Sequence, residues 1–123
     1  MKRAFIDTNA LLTLATGSGL LELIHEQLPE YEPTIVSGVL QELQKLAVGS
    51  SKDALAAKLA INIINKQDLK TLTNSTSYVD AALIAVASRE DAIITLDKEL
   101  QKRARKQHIA VFTIARKRLR QLA

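Results

Sequence analysis

Polar and apolar positions along this chain follow two rhythms in turn. Ala4-Phe5-Ile6, Thr34-Ile35-Val36, Leu69 to Thr73, Ala92 to Leu96 and Ile109 to Ile114 are short apolar or β-branched runs with the length and composition of strands. Between them, apolar residues recur every three or four positions, which is the spacing of a helix face. A helix between two strands lets the second lie parallel to the first. The pattern therefore predicts an α/β domain over residues 1–123, three layers deep (α/β/α), with helices on both faces of a mainly parallel five-stranded sheet. No repeat or low-complexity stretch divides it.

Turn and cap residues punctuate the helices. Gly17 and Gly19 break the first helical segment, and Pro29 and Pro33 are expected to bracket the turn into the second strand. Ser37 is expected to cap a helix reaching about Val48, where Gly49 stops it. Asp53 stands near the start of the next helix, whose Leu55, Leu59 and Ile63 are expected to face the core. Ser77 is a candidate cap for a helix from Tyr78 to about Glu90, and Asp97 for a basic helix from Lys98 to Lys106. The last residues, Ala115 to Ala123, are expected to close the chain as a helix.

Composition narrows the function. The chain is 47% hydrophobic and 24% charged, the balance of a globular domain. With no cysteine, a disulfide scaffold, a thiolate zinc site and a cysteine nucleophile are all excluded. The longest apolar run, Ala81 to Ala87, falls far short of the roughly 20 residues that cross a bilayer. Met1-Lys2-Arg3 leads quickly to Asp7, unlike a secretory signal, so a cytoplasmic protein without a membrane partner is expected. Asn74-Ser75-Thr76 matches a glycosylation acceptor, which has no meaning in that setting.

The charge is more informative by position. Net charge is +4, but nine basic residues stand against Glu99 alone between Lys98 and Arg120, while acids outnumber bases in the remainder. A basic end of this kind suits a polyanion such as nucleic acid. Lys102, Arg103, Arg105 and Lys106 fall on the helix after Asp97, and Arg116 and Lys117 follow the last strand. These six are the candidate RNA-binding residues, with a solvated, solubilising surface as the alternative. The only aromatics are Phe5, Tyr31, Tyr78 and Phe112, which points to phosphate contacts rather than a base-stacking platform. His25 and His108 lie away from the expected site, and Gly17-Ser18-Gly19 lacks the lysine of a phosphate loop.

Ligands of open parallel sheets bind outside the carboxyl ends of the strands. Four acids fall there: Asp7 after the first strand, Glu42 in the helix after the second, Asp80 in the helix before the fourth, and Asp97 after the fourth. Asp7 and Asp97 also suit simple helix caps, Ser77 with Asp80 a capping box, and Glu42 a solvated helix face. Helical geometry favours more for two of them. Glu42 lies on the shoulder of the stripe Val39, Leu40, Leu43, Leu46 and Ala47, and Asp80 shares a row with Leu83, Ile84 and Ala87. If the four carboxylates converge they repel, by around 4 kcal/mol for a pair 4 Å apart at an effective dielectric near 20. A cation relieves that repulsion. All-oxygen ligation suits Mg2+ or Mn2+, and such an ion activates water for phosphodiester hydrolysis.

The motifs resemble those of PIN-domain nucleases. Phe5-Ile6-Asp7-Thr8-Asn9-Ala10-Leu11-Leu12 is similar to the family's opening motif. Val39-Leu40-Gln41-Glu42-Leu43, Asp80-Ala81-Ala82-Leu83-Ile84 and Ile94-Thr95-Leu96-Asp97-Lys98-Glu99-Leu100 are similar to its second, third and fourth acid motifs, in order. The resemblance implies a Mg2+- or Mn2+-dependent endoribonuclease with RNA as substrate. Asp7, Glu42, Asp80 and Asp97 would hold the metal and its water, Asn9 would orient the Asp7 loop and Thr95 would support the fourth acid. Leu96 stands where many relatives carry a polar residue. The helix from Asp53 to Lys66 and the basic stretch Lys98 to Lys106 resemble archaeal members of the ribosomal-RNA-processing type, whereas VapC toxins share the same acids. Three roles therefore remain open: an rRNA-processing enzyme, a toxin with an antitoxin partner, or a non-cleaving module that positions RNA or a ribosome-assembly factor. Family resemblance also suggests a homodimer.

Overall fold

The computed structural model describes residues 1–73 and 78–122. Its strands are β1 (Lys2–Ile6), β2 (Tyr31–Val36), β3 (Lys70–Leu72), β4 (Ala92–Ile94), β5 (Ala110–Ala115) and β6 (Arg118–Leu122). Its helices are α1 (Thr8–Leu12), α2 (Leu20–Gln27), α3 (Ser37–Leu46), α4 (Lys52–Gln67), α5 (Val79–Val86) and α6 (Lys98–Lys106), with a 3-10 turn over Thr13–Thr16. The strands form one sheet in the order β3-β2-β1-β4-β5-β6. All pairs are parallel except β5 with β6, and helices on both faces complete three layers. The chain winds outward from β1 in one direction and from β4 in the other. The switch between these two central strands opens the crevice at the carboxyl edge.

Burial on both faces explains why the central strands read as unbroken apolar runs. Phe5, Ile6, Ile93 and Ile94 have no exposed surface, nor do Ile35 on β2 and Leu83 and Leu100 on the covering helices. The ladder runs past the strand ends. Asp7 N donates to Ile94 O at 3.0 Å and Thr95 N to Phe112 O at 3.1 Å. This fixes Asp7 and Thr95 side by side at the edge.

The architecture agrees with the expected α/β/α fold, with six strands in place of five. The tail expected as a helix is β6, running antiparallel to β5. Arg, Lys, Leu and Gln favour helices intrinsically, but here a two-residue turn reverses the chain, with Arg116 and Lys117 both in the left-handed region (φ 50 and 59). Leu119 is then buried, and its backbone N–H donates to Gln27 Oε1 at 2.8 Å, while Arg118 and Arg120 stay exposed.

Smaller corrections have similar causes. Pro33 lies inside β2, opposite Ala4 and one residue before β2 begins to pair with β3. Ser37 is the first residue of α3, the cap position being Val36, and α5 ends at Val86, ahead of Glu90. Ser77, Asn74, Ser75 and Thr76 lie outside the described residues. On α4 the buried face is Ala54, Ala57, Ala60 and Ile64, and its three alanines let the helix pack closely on α1 and α3. Leu55 and Leu59, expected inside, are 56% and 41% exposed. Leu46 is exposed as well, and Leu40 and Ala47 are only partly buried. Gly17 and Gly19 do break the first helical segment, both at positive φ. Among the described residues, no helix is long and apolar enough to cross a membrane.

One polar contact ties the opposite edge of the sheet. Asp91, buried before β4, accepts from the Arg3 backbone N at 3.0 Å, Arg3 Nη2 at 2.9 Å and the Ser88 backbone N at 2.9 Å. Burial pushes its carboxyl up, but the Arg3 and Ser88 hydrogen bonds and the Arg3 charge outweigh that and hold it below 3.8. A lowered carboxyl stabilises the fold above its unfolded value, and that stabilisation fades as pH falls through the folded one. Asp91→Asn is therefore expected to lower stability by about 2 kcal/mol at pH 7. Urea melts should show the deficit shrinking as pH falls below 3.8; a deficit independent of pH would contradict the assignment.

Candidate active site

The acid edge is assembled from two loops that leave adjacent strands. Where β1 ends, Asp7 keeps an extended backbone and caps α1. Its Oδ1 accepts from Thr8 N at 2.8 Å, and its Oδ2 from Thr95 Oγ1 at 2.8 Å and Asn9 Nδ2 at 3.3 Å. Asn9 Oδ1 in turn accepts from Leu96 N at 3.0 Å, which ties α1 to the exit of β4. Asp97 caps α6, accepting from Glu99 N at 2.8 Å and Leu100 N at 3.2 Å, and its own N–H donates to Thr95 Oγ1 at 3.0 Å. Both aspartates are thus helix caps, and both also meet at the hydroxyl of Thr95.

A second hydroxyl extends the chain of contacts. Thr8 Oγ1 donates to Glu42 Oε1 at 2.6 Å, joining α3 to the same edge. The series Glu42, Thr8, Asp7, Thr95, Asp97 is therefore continuous through hydrogen bonds. Asp80, in the first turn of α5, joins by charge rather than by hydrogen bond. Burial is the main cause raising its carboxyl above 3.8; the Asp97 and Glu42 charges push the same way, and Arg103 pushes back. Asp7, with 5% of its surface exposed, is raised first by burial. Its Thr95 and Thr8 hydrogen bonds oppose this, and the Asp80 and Glu42 charges add to it. All four acids expected from the sequence thus face a shared field. Among the described residues, however, no three acidic or histidine side chains gather closely enough to hold a metal ion on their own.

Beside this network lies a cavity of ≈ 460 Å³ lined by Glu42, Tyr78, Val79, Asp80, Ala81 and Arg103. Of the basic residues on α6, Arg103 reaches it; Lys98, Lys102, Arg105 and Lys106 are exposed elsewhere on that helix. Arg116 and Lys117 form the tip of the β5–β6 hairpin. Phe112 is the partner of Ile94, so β5 runs three residues further than β4, about 10 Å beyond it at the carboxyl edge. A larger hollow of ≈ 580 Å³ opens at the opposite edge, near the starts of β2 and β3, where His25, Glu32 and Lys70 line it. It holds none of the expected site residues.

Three contributors escaped the sequence reading. Thr8 bridges Asp7 and Glu42, a role foreshadowed only by its place directly after Asp7. Gln101 Nε2 donates to Thr95 O at 2.9 Å and steadies the loop, one helical turn after Asp97. Tyr78 lines the cavity, whereas the sequence marks it only as a scarce aromatic at the start of a helix.

Comparison with known proteins agrees with this architecture. The profile of a family described as PIN-like domain matches residues 4–118. A structure titled "Structure of the PIN domain endonuclease Utp24" superposes with a TM-score of 0.80 at 24% identity, covering 97% of this chain and 90% of that one. A domain of a functionally unknown protein from Methanocaldococcus jannaschii DSM 2661 superposes with a TM-score of 0.59 at 19% identity, covering 94% and 92%. No curated protein matches.

The raised carboxyls have a measurable consequence. A carboxyl that titrates above its unfolded value destabilises the fold as pH rises through the raised value. With divalent ions chelated, Asp80→Asn is expected to increase stability at pH 7 by up to about 1 kcal/mol, its partial exposure limiting the gain. The gain should vanish as pH falls below 3.8. Urea denaturation across that range measures it, and a variant less stable than the parent at pH 7 would contradict the crowding of charge.

Proposed function

We propose that this chain, which belongs to the PIN-like domain family, is a metal-dependent endoribonuclease that hydrolyses RNA phosphodiester bonds at the acid edge. The observation that carries this reading is the gathering of the acids at one edge: Glu42 accepts from the Thr8 hydroxyl and Asp7 from the Thr8 amide, Asp7 and the Asp97 amide meet at the Thr95 hydroxyl, and Asp80 shares a cavity with Glu42. The donors are all carboxylate oxygens, and burial with neighbouring negative charge disfavours ionisation of Asp7 and Asp80, which suits a hard divalent cation. Mg2+ is commonly held by one or two carboxylates while it keeps waters and binds substrate phosphates, so a preformed protein cage is not required. Mn2+ has the same preference for oxygen. When bound, the ion supplies an activated water and neutralises charge on the leaving oxygen.

The protein's own groups do the rest. Asp7 is fixed on three sides by Thr8, Thr95 and Asn9, so its oxygens keep one orientation. Glu42 and Asp80 line the cavity and would help hold the ion and its water facing the scissile phosphate. Arg103 offsets part of that negative field, and the overhanging Arg116-Lys117 turn offers further cations to the RNA backbone. Lys102, Arg105 and Lys106 extend the same contact along α6. The neighbouring structure's description as an endonuclease supports the reaction class. Within it, the long α4 and the basic α6 support a processing role on structured RNA such as rRNA.

Purified protein should cleave RNA only with Mg2+ or Mn2+ present, and chelation should stop it. Asp7→Asn is expected to lower the rate by about 100-fold or more, with an unchanged far-UV circular dichroism spectrum. Equal cleavage by parent and variant, or cleavage in chelator, would contradict the proposal.

A further inference from the structure

Unpaired charge of opposite sign gathers at the two ends of this molecule. At the starts of β2 and β3 lies the hollow of ≈ 580 Å³, where the carboxylates of Glu22, Glu26, Glu32 and Asp68 surround apolar Leu21 and Leu69. Lys70 is the one lysine or arginine in its lining, and Glu32 already engages that charge at 3.6 Å. Glu22, Glu26 and Asp68 are exposed and have no ion pair among the described residues. At the far ends of the strands the sign reverses. The β5–β6 hairpin carries Arg116, Lys117, Arg118 and Arg120, all exposed and likewise without an ion pair among the described residues. Its tip follows a strand that runs three residues, about 10 Å, beyond the end of β4.

Neither surface can satisfy the other within one chain. β2 and β5 run in the same direction with β1 and β4 between them, so the hollow and the tip face away from each other. Between two copies the match is direct. A protruding cationic turn meets a concave acidic surface whose size suits a few inserted side chains. The long stems of arginine and lysine lie along an apolar floor while their charged heads reach the rim. Like-charged juxtaposition disfavours tip against tip and hollow against hollow. Nucleic acid does not suit the hollow, because its phosphates carry the sign of the lining.

We propose that the β5–β6 hairpin of one copy docks into the acidic hollow of another and joins the copies head to tail. The contact is heterologous, so each pair keeps one free tip and one free hollow and can lengthen rather than close as a two-fold dimer. A single hairpin tip buries little surface, which makes the association weak and transient. Docking engages Arg116 and Lys117 but needs neither RNA nor metal. It therefore stands or falls separately from the hydrolytic reading.

Crosslinking tests it, and the absence of cysteine from the chain removes any background. Ala115→Cys sets a thiol beside the tip and Gln67→Cys sets one in the hollow, with every charge left in place. Equal amounts of the two variants are mixed at low salt without divalent ions and oxidised with diamide. Intact mass then separates the mixed disulfide from the two same-variant products. The mixed product is expected to form about fivefold or more faster than chance mixing gives, and to lose that excess at roughly 1 M salt. Glu22→Lys with Glu26→Lys in the Gln67→Cys chain should abolish the excess. Arg116→Asp with Lys117→Asp in the other chain should restore it, aspartate being tolerant of the turn's left-handed backbone. Glu90→Lys, at an exposed acid outside the hollow, should change nothing. All substituted positions are exposed, and unchanged far-UV circular dichroism checks that the variants fold. A mixed product formed at the chance rate, an equal loss with Glu90→Lys, or no recovery with the swapped charges would overturn the docking.

Discussion

A carboxylate buried at the end of the central strand is the most demanding group in this fold. Asp7 is almost fully covered, and a charge taken out of water is costly unless hydrogen bonds or an opposite charge replace its solvent. The surroundings supply the first remedy: the Thr8 amide, the Thr95 hydroxyl and the Asn9 amide all donate to it. They do not supply the second. The neighbouring charges are Asp80 and Glu42, which deepen the penalty. Acids arranged to repel one another, with only Arg103 offsetting part of the charge at Asp80, form a site suited to an added cation.

The topology accounts for why these groups meet. β1 and β4 lie side by side, and their connections depart in opposite directions. The residues following them, Asp7 and Thr95 through Asp97, are therefore pushed into the same crevice. Thr8 and Thr95 act as short polar struts across it, one toward α3 and one between the two aspartates. The antiparallel β6 completes the arrangement by turning the basic tail into a hairpin that overhangs the same edge. Two non-glycine residues in the left-handed region form its tip, at a cost of roughly 1–2 kcal/mol each. Local strain at an exposed cationic turn fits a surface shaped for contact.

Much of this could be read from the sequence because it was local. Short β-branched runs marked the five parallel strands, and acids placed directly after strands marked Asp7 and Asp97. What escaped depended on tertiary context. Arg-Lys-Arg-Leu-Arg-Gln-Leu has helix-forming composition, and only pairing with β5 makes it a strand. α4 carries apolar residues on more than one face, so periodicity alone could not show that its alanines pack inward and Leu55 and Leu59 outward. The Arg3–Asp91 pair spans 88 positions, beyond any local pattern. Tyr78 was one of four aromatics until the fold buried or half-buried the other three and left it exposed on the cavity.

The shared cation is the claim on which the account turns, and direct titration with Mn2+, followed by electron paramagnetic resonance of the free ion, tests it without any RNA. The account predicts saturable binding by the parent protein that weakens at least about tenfold when any one of Asp7, Glu42, Asp80 or Asp97 becomes its amide. Absence of binding, or binding indifferent to all four changes, would contradict it.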